Sequence, residues 1–134
     1  MNWTRYILAA VGGYIVLEVV AVLWHGVIFT ATYADLTKTT QAALGSIFVL
    51  DALRALVLAC VYPIGYQGGT PWVEGLKFGV LMGLLTGFTA GVYLSIVGQP
   101  VSMVWIELVY LVIQGALNGI AVAWIYGEHA RRAT

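Results

Sequence analysis

The chain has 134 residues, of which 61% are hydrophobic and only 9% charged, and its formal net charge is zero. A soluble domain carries about 25% charged residues, so this chain is too poor in charge to cover a water-facing surface, and an integral membrane protein is expected. Zero net charge without a basic block excludes an electrostatic footprint for nucleic acid, and the single cysteine, Cys60, excludes an intrachain disulfide or a cysteine-rich metal site.

The opening Met-Asn-Trp-Thr-Arg resembles the start of a signal peptide. The apolar run after it exceeds the usual signal core of about 7–15 residues, and Glu18 interrupts it, so a retained span is expected. A membrane span needs about 20 apolar residues. Four segments qualify, at about 6–29, 43–62, 73–97 and 101–126. The reading is an all-α, single-domain, up-down-up-down four-helix bundle. A polar loop over 30–42 separates the first two spans. Pro63 to Pro71, rich in breakers, separates the next two. Gly98-Gln-Pro100 is so short a link that spans three and four must be antiparallel neighbours.

Lys and Arg near the span ends set orientation. Arg5, Lys77, Arg131 and Arg132 fall on the side of the termini and Lys38 on the other, so both termini are expected in the cytoplasm. Trp3, Tyr6, Tyr62, Tyr66, Trp72, Trp124 and Tyr126 would form the inner aromatic belt, with Phe29, Tyr33 and Trp105 as outer candidates.

In span one, Glu18 lies near the middle and His25 about seven residues farther out. A charge at the bilayer centre costs about 2.5–3.5 kcal/mol, so such groups are expected to face the interior and pair. Span two places Asp51 and Arg54 three residues apart on one helical face, near the depth of Glu18. A midplane cluster follows, in which Arg54 answers Asp51, Glu18 or both. Two acids against one base leave one acid expected to hold a proton. Asp51 with Arg54 reads either as a structural ion pair or as a gate, and Glu18 either as a packing or as a functional acid.

Span three carries Gly75, Gly79, Gly83, Gly87 and Gly91, one glycine every fourth residue. In lipid, helices associate through close backbone contact, which glycine permits, so the stripe reads either as a packing seam or as a surface that slides during transport. Each four-residue step turns the helix through about 400°, so the stripe drifts about 40° per step, and a partner must cross at an angle of roughly −40° to follow it. The expected partner is span four, with its own Gly115 and Gly119. A band winding about 160° around the helix is expected to need more than one neighbour, which favours self-association. Thr86, Thr89 and Ser95 can bond back to their own helix.

Glu107 lies in span four at the depth of His25, about 10 Å from the midplane, so the two are expected to meet. Gln114 and Asn118 continue the Glu107 stripe as interhelical hydrogen-bonding groups, with Tyr110 and Met103 near it. His25 reads either as a hydrogen-bonded interior histidine or as a haem or metal ligand, with the first favoured, and His129 in the polar tail as a solvated one. No spacing supports a metal site, and no cofactor is expected. Phe48–Leu53 and Val104–Val109 each place an acid early in a span, a short hint of a duplicated hairpin.

Tyr14-Ile-Val-Leu-Glu18-Val-Val-Ala resembles the first helix of the small multidrug resistance transporters. That likeness covers part of one span. It implies an antiparallel dimer in which Glu18 exchanges protons for a lipophilic cation. The Asp51–Arg54 pair departs from that family. Tyr62-Pro-Ile-Gly-Tyr66, Glu74 to Gly83 and Ile113 to Gly119 resemble small four-span bacterial membrane proteins of unassigned function, and Leu23 to Phe29 fits the same group. The implied location is a bacterial inner membrane.

Three functions follow. The first is a non-catalytic membrane protein packing as a homo-oligomer or as a small subunit of a larger membrane complex. The second is a proton-coupled transporter or channel using Glu18, His25, Asp51 and Glu107. The third, an enzyme, has no nucleophile motif behind it; a quinone or lipid headgroup would sit near Trp24, His25 and Glu107.

Overall fold

The computed structural model describes residues 3–34 and 44–127. The expected loop sites Lys38 and 35–42, and the tail residues His129, Arg131 and Arg132, lie outside the described residues. Helix α1 runs Trp3–Leu23 and continues in a π-helical turn, Trp24–Ile28. Helices α2 (Leu44–Gly65), α3 (Pro71–Ile96) and α4 (Val101–Tyr126) complete the bundle. All four are long and apolar enough to cross a membrane.

Neighbours in sequence run antiparallel. At one end of the bundle the Arg5 guanidinium donates to the Tyr126 carbonyl at 2.8 Å, joining the start of α1 to the end of α4. At the other end His25 meets Glu107. Turn chemistry fixes the corners. Thr70 is extended and Pro71 opens α3, where its missing N–H leaves no bond unmade. Gly98, at φ +76°, makes the reversal before α4, a conformation that a side chain disfavours.

Helix α4 is the centre of the architecture. Its Leu111, Gly115, Gly119 and Ala123 stripe meets α3. The adjacent stripe, Tyr110, Gln114, Asn118 and Tyr126, reaches α1 and α2. Helix α2 is held chiefly by α1 and touches α3 and α4 only lightly.

The glycines of α3 meet α4 in order: Gly75 against Gly119, Gly79 against Gly115, Gly83 against Leu111, Gly87 against Leu108 and Gly91 against Val104. One neighbour buries Gly75, Gly79, Gly83 and Gly87 and leaves Gly91 partly exposed, so most of the band needs no second neighbour, which corrects that part of the expectation. The drift is absorbed because α4 follows it along its length.

Two further expectations are corrected. The breaker-rich segment does not end α2 at Tyr62; the helix passes through Pro63 to Gly65. A proline inside a helix deprives the carbonyl four residues back of its N–H donor. Here that carbonyl, Ala59, accepts the Tyr126 hydroxyl at 2.8 Å instead. Tyr62 and Tyr126 also leave the belt, at 1% and 3% exposed. They pack with Ala9, Ala10, Ala59, Val122 and Ala123 in a buried, mostly apolar layer, with Tyr66 and Phe78 against it. Small residues on α1 and α4 bring the backbones close enough for the rings to close that end. Trp3, Trp72 and Trp124 stay exposed, as a belt requires.

Candidate functional site

The interior polar groups form two clusters on α1, α2 and α4, joined by Tyr110. In the deeper cluster the Arg54 Nη1 donates to Gln114 Oε1 at 2.9 Å and lies 3.9 Å from Asp51 Oδ1. Gln114, 1% exposed, uses both of its amide hydrogens, one on the Leu17 carbonyl at 3.0 Å and one on the Tyr110 hydroxyl at 2.6 Å. Asn118 donates to the Gly13 carbonyl at 2.8 Å, where the absent side chain of Gly13 lets α1 and α4 approach. Glu18 lies within electrostatic reach of Asp51 and interacts with the Tyr14 hydroxyl one turn earlier. One Glu18 oxygen is buried without a hydrogen-bond partner. Arg54 thus pairs with Asp51 and with a neutral amide on α4; among the described residues it makes no ion pair with Glu18.

The outer cluster is built on the π-helical turn. Phe29 N–H bonds the Trp24 carbonyl at 2.9 Å, a five-residue step that widens the helix end. The chain then turns back, and Tyr33 donates its hydroxyl proton to Glu107 Oε2 at 2.7 Å. His25 Nε2 stands 3.7 Å from the same oxygen. The His25 ring meets Tyr33 and Tyr110 edge-on, with centroids 4.4 and 4.6 Å away. Trp24 packs on Phe29 and Tyr110. Burial, and then the bond to Glu107, push the Tyr33 phenol well above its ordinary range.

From the Tyr33 end of the bundle inward the order is Tyr33, Glu107, His25, Tyr110, Gln114 and Arg54, with Asp51 beside Arg54 one turn back toward the Tyr33 end. Beyond this row lies the buried layer around Ala9, Ala59 and Val122. Carboxylate and imidazole groups can pass protons over short distances, whereas the Gln114 amide and the Arg54 guanidinium hold their neighbours in place without carrying a proton. Among the described residues no group of three His, Cys, Asp or Glu side chains could hold a metal ion.

Sequence reasoning places His25 beside Glu107, and the two lie together; it puts Gln114 and Asn118 between helices, and both bond α1. It did not find Tyr33 on Glu107, Gln114 on Arg54, or Gly13 as an acceptor. The Gly12-Gly13 doublet inside an apolar span was the available signal for Gly13. Tyr33 had none, because its partner lies 74 positions away. No family model, curated protein or solved structure matches the chain.

Proposed function

We propose that the protein is a non-catalytic four-span membrane protein that works by association, with copies of itself or as a small accessory subunit of a larger membrane complex. The carrying observation is the Asp51–Arg54 pair. It sits mid-span, yet its side chains remain 20% and 21% exposed, because α2 is covered mainly by α1. Charge open to lipid at that depth is costly, and a protein neighbour beside α2 would relieve the cost. The Lys and Arg distribution supports cytoplasmic termini, and a helical bundle suits an inner membrane.

The test is photo-crosslinking in native membranes from Ile47 on α2 and from Phe88 on α3, both exposed, with sizing in nanodiscs. Crosslinked species from Ile47 and not from Phe88 are expected. A monomer giving no crosslink from Ile47 rejects the proposal.

A second reading, proton-linked transport, is favoured by the polar row from Tyr33 to Asp51 and by the unpartnered Glu18 oxygen. A single copy would have to open the buried layer around Ala9, Ala59 and Val122 on each cycle. Proton flux into liposomes, compared between wild type and Glu18→Gln, separates the two: a loss of flux in the variant favours transport.

A further inference from the structure

We infer that His25, Glu107 and Tyr33 form a one-proton latch that ties the outer end of α1 to α4. The geometry of the imidazole carries it. Nδ1 lies 3.0 Å from the Ala21 carbonyl, and Nε2 faces Glu107 Oε2 at 3.7 Å. Both partners are acceptors. A neutral histidine carries one N–H, so either tautomer leaves a lone pair turned toward an oxygen. Only the doubly protonated ring presents a hydrogen to each. Tyr33 donates to the same Glu107 Oε2 at 2.7 Å, so that oxygen already acts as an acceptor where it faces His25.

The surroundings suit a cation. The rings of Tyr33 and Tyr110 flank the imidazole. Glu107 and Tyr110 face His25 from α4, and Trp24 and Tyr33 belong to its own segment. Asp51 and Arg54 of α2 lie one layer deeper, within electrostatic reach of Tyr110. When the proton leaves, the imidazole loses one of its two contacts. The π-helical turn and the segment through Tyr33 then keep the Tyr33–Glu107 bond and the ring contacts of Trp24 and Tyr110, without the ion pair. The latch stands where the polar row begins, so its proton decides whether the outer end is closed.

The experiment uses the full chain in nanodiscs. Ring-nitrogen NMR of histidine follows the proton on His25, with a His129→Asn variant assigning the second histidine. Hydrogen exchange of the amides of 24–33 is followed over the same pH range, corrected for intrinsic rates. As His25 loses its proton, exchange of 24–33 is expected to rise about threefold, the scale of one partly exposed ion pair. In Glu107→Gln and His25→Gln it is expected to sit at the fast level at every pH. Unchanged protection while the ring loses its proton overturns the latch, and so does a step of full size in Glu107→Gln. The first of these outcomes needs no variant to fold.

Discussion

On one face of α4, Gly115 and Gly119 lie against Gly79 and Gly75 of α3, backbone on backbone. On the adjacent face, Gln114 and Asn118 reach the Leu17 and Gly13 carbonyls of α1 through side-chain amides. Both contacts answer the same difficulty, that apolar side chains gain little by leaving lipid for one another. They answer it in opposite ways. The α3 face works because atoms are absent, so it breaks when atoms are added. The α1 face works because particular atoms are present, so it breaks when they are removed.

Adding atoms should have the largest effect. A Cβ on Gly79 would run into the Gly115 carbonyl oxygen, and one on Gly83 would stand 2.6 Å from the Leu111 oxygen. Backbone cannot step aside, so Gly79→Ala should destabilise the bundle by about 3 kcal/mol in steric-trap unfolding in bicelles. The loss should fall along the stripe. At Gly87 the obstacle is the movable end of Leu108, and at Gly91 it is Val104 at 3.3 Å, where the two helices part around an apolar cleft of about 540 Å³ lined by Phe88 and Trp105. Gly45 has nothing within 4 Å, so Gly45→Ala should gain about 0.5–1 kcal/mol from helix propensity. Equal losses at Gly79 and Gly91 would remove the distinction between the two faces.

Removing atoms comes next. Gln114→Leu deletes one acceptor and two donors together and leaves Arg54 Nη1 only its 3.9 Å ion pair with Asp51, so a loss of about 2 kcal/mol is expected in the same assay. Asn118→Leu deletes one interhelical bond and should cost about 0.6 kcal/mol, the usual value between membrane helices. A reversed order would mean that the amide row contributes shape rather than hydrogen bonds.

The same contrast explains what the sequence could disclose. Span positions follow from hydropathy alone, and the glycine period names a close-approach face without any partner being known. His25 and Glu107 could be matched because depth is a one-dimensional coordinate and both lie at the same depth. What sequence reading missed needs a rotation or a reversal of the chain. Whether one helix can bury Gly75 through Gly87 depends on how α4 crosses. Whether Pro63 ends α2 depends on a hydroxyl on another helix. Tyr33 looked like an outer-belt residue because nothing local shows the chain doubling back after the π-helical turn.

The Pro63 compensation can be isolated. Tyr126→Phe leaves the Ala59 carbonyl without a donor and should cost about 1 kcal/mol. In a Pro63→Ala background, residue 63 regains its own N–H for that carbonyl, so the same change should cost clearly less. The double-mutant cycle reads the difference. Full additivity would show that the hydroxyl does not replace the missing helix bond.

The smallest expected effect is the most specific to the outer cluster. An unfolded tyrosine loses its proton near pH 10. In the folded chain burial and Glu107 hold the Tyr33 phenol protonated to a higher pH. Its contribution is therefore complete below about pH 10 and is lost as pH rises through the folded-state value. The stability difference between wild type and Tyr33→Phe should accordingly stay level through neutral pH and shrink only on the alkaline side. Other tyrosines titrate there as well, but they are common to both proteins and cancel in the difference. A difference already changing between about pH 5 and 8 would have to come from histidine or a carboxylate, because Tyr33 does not titrate there.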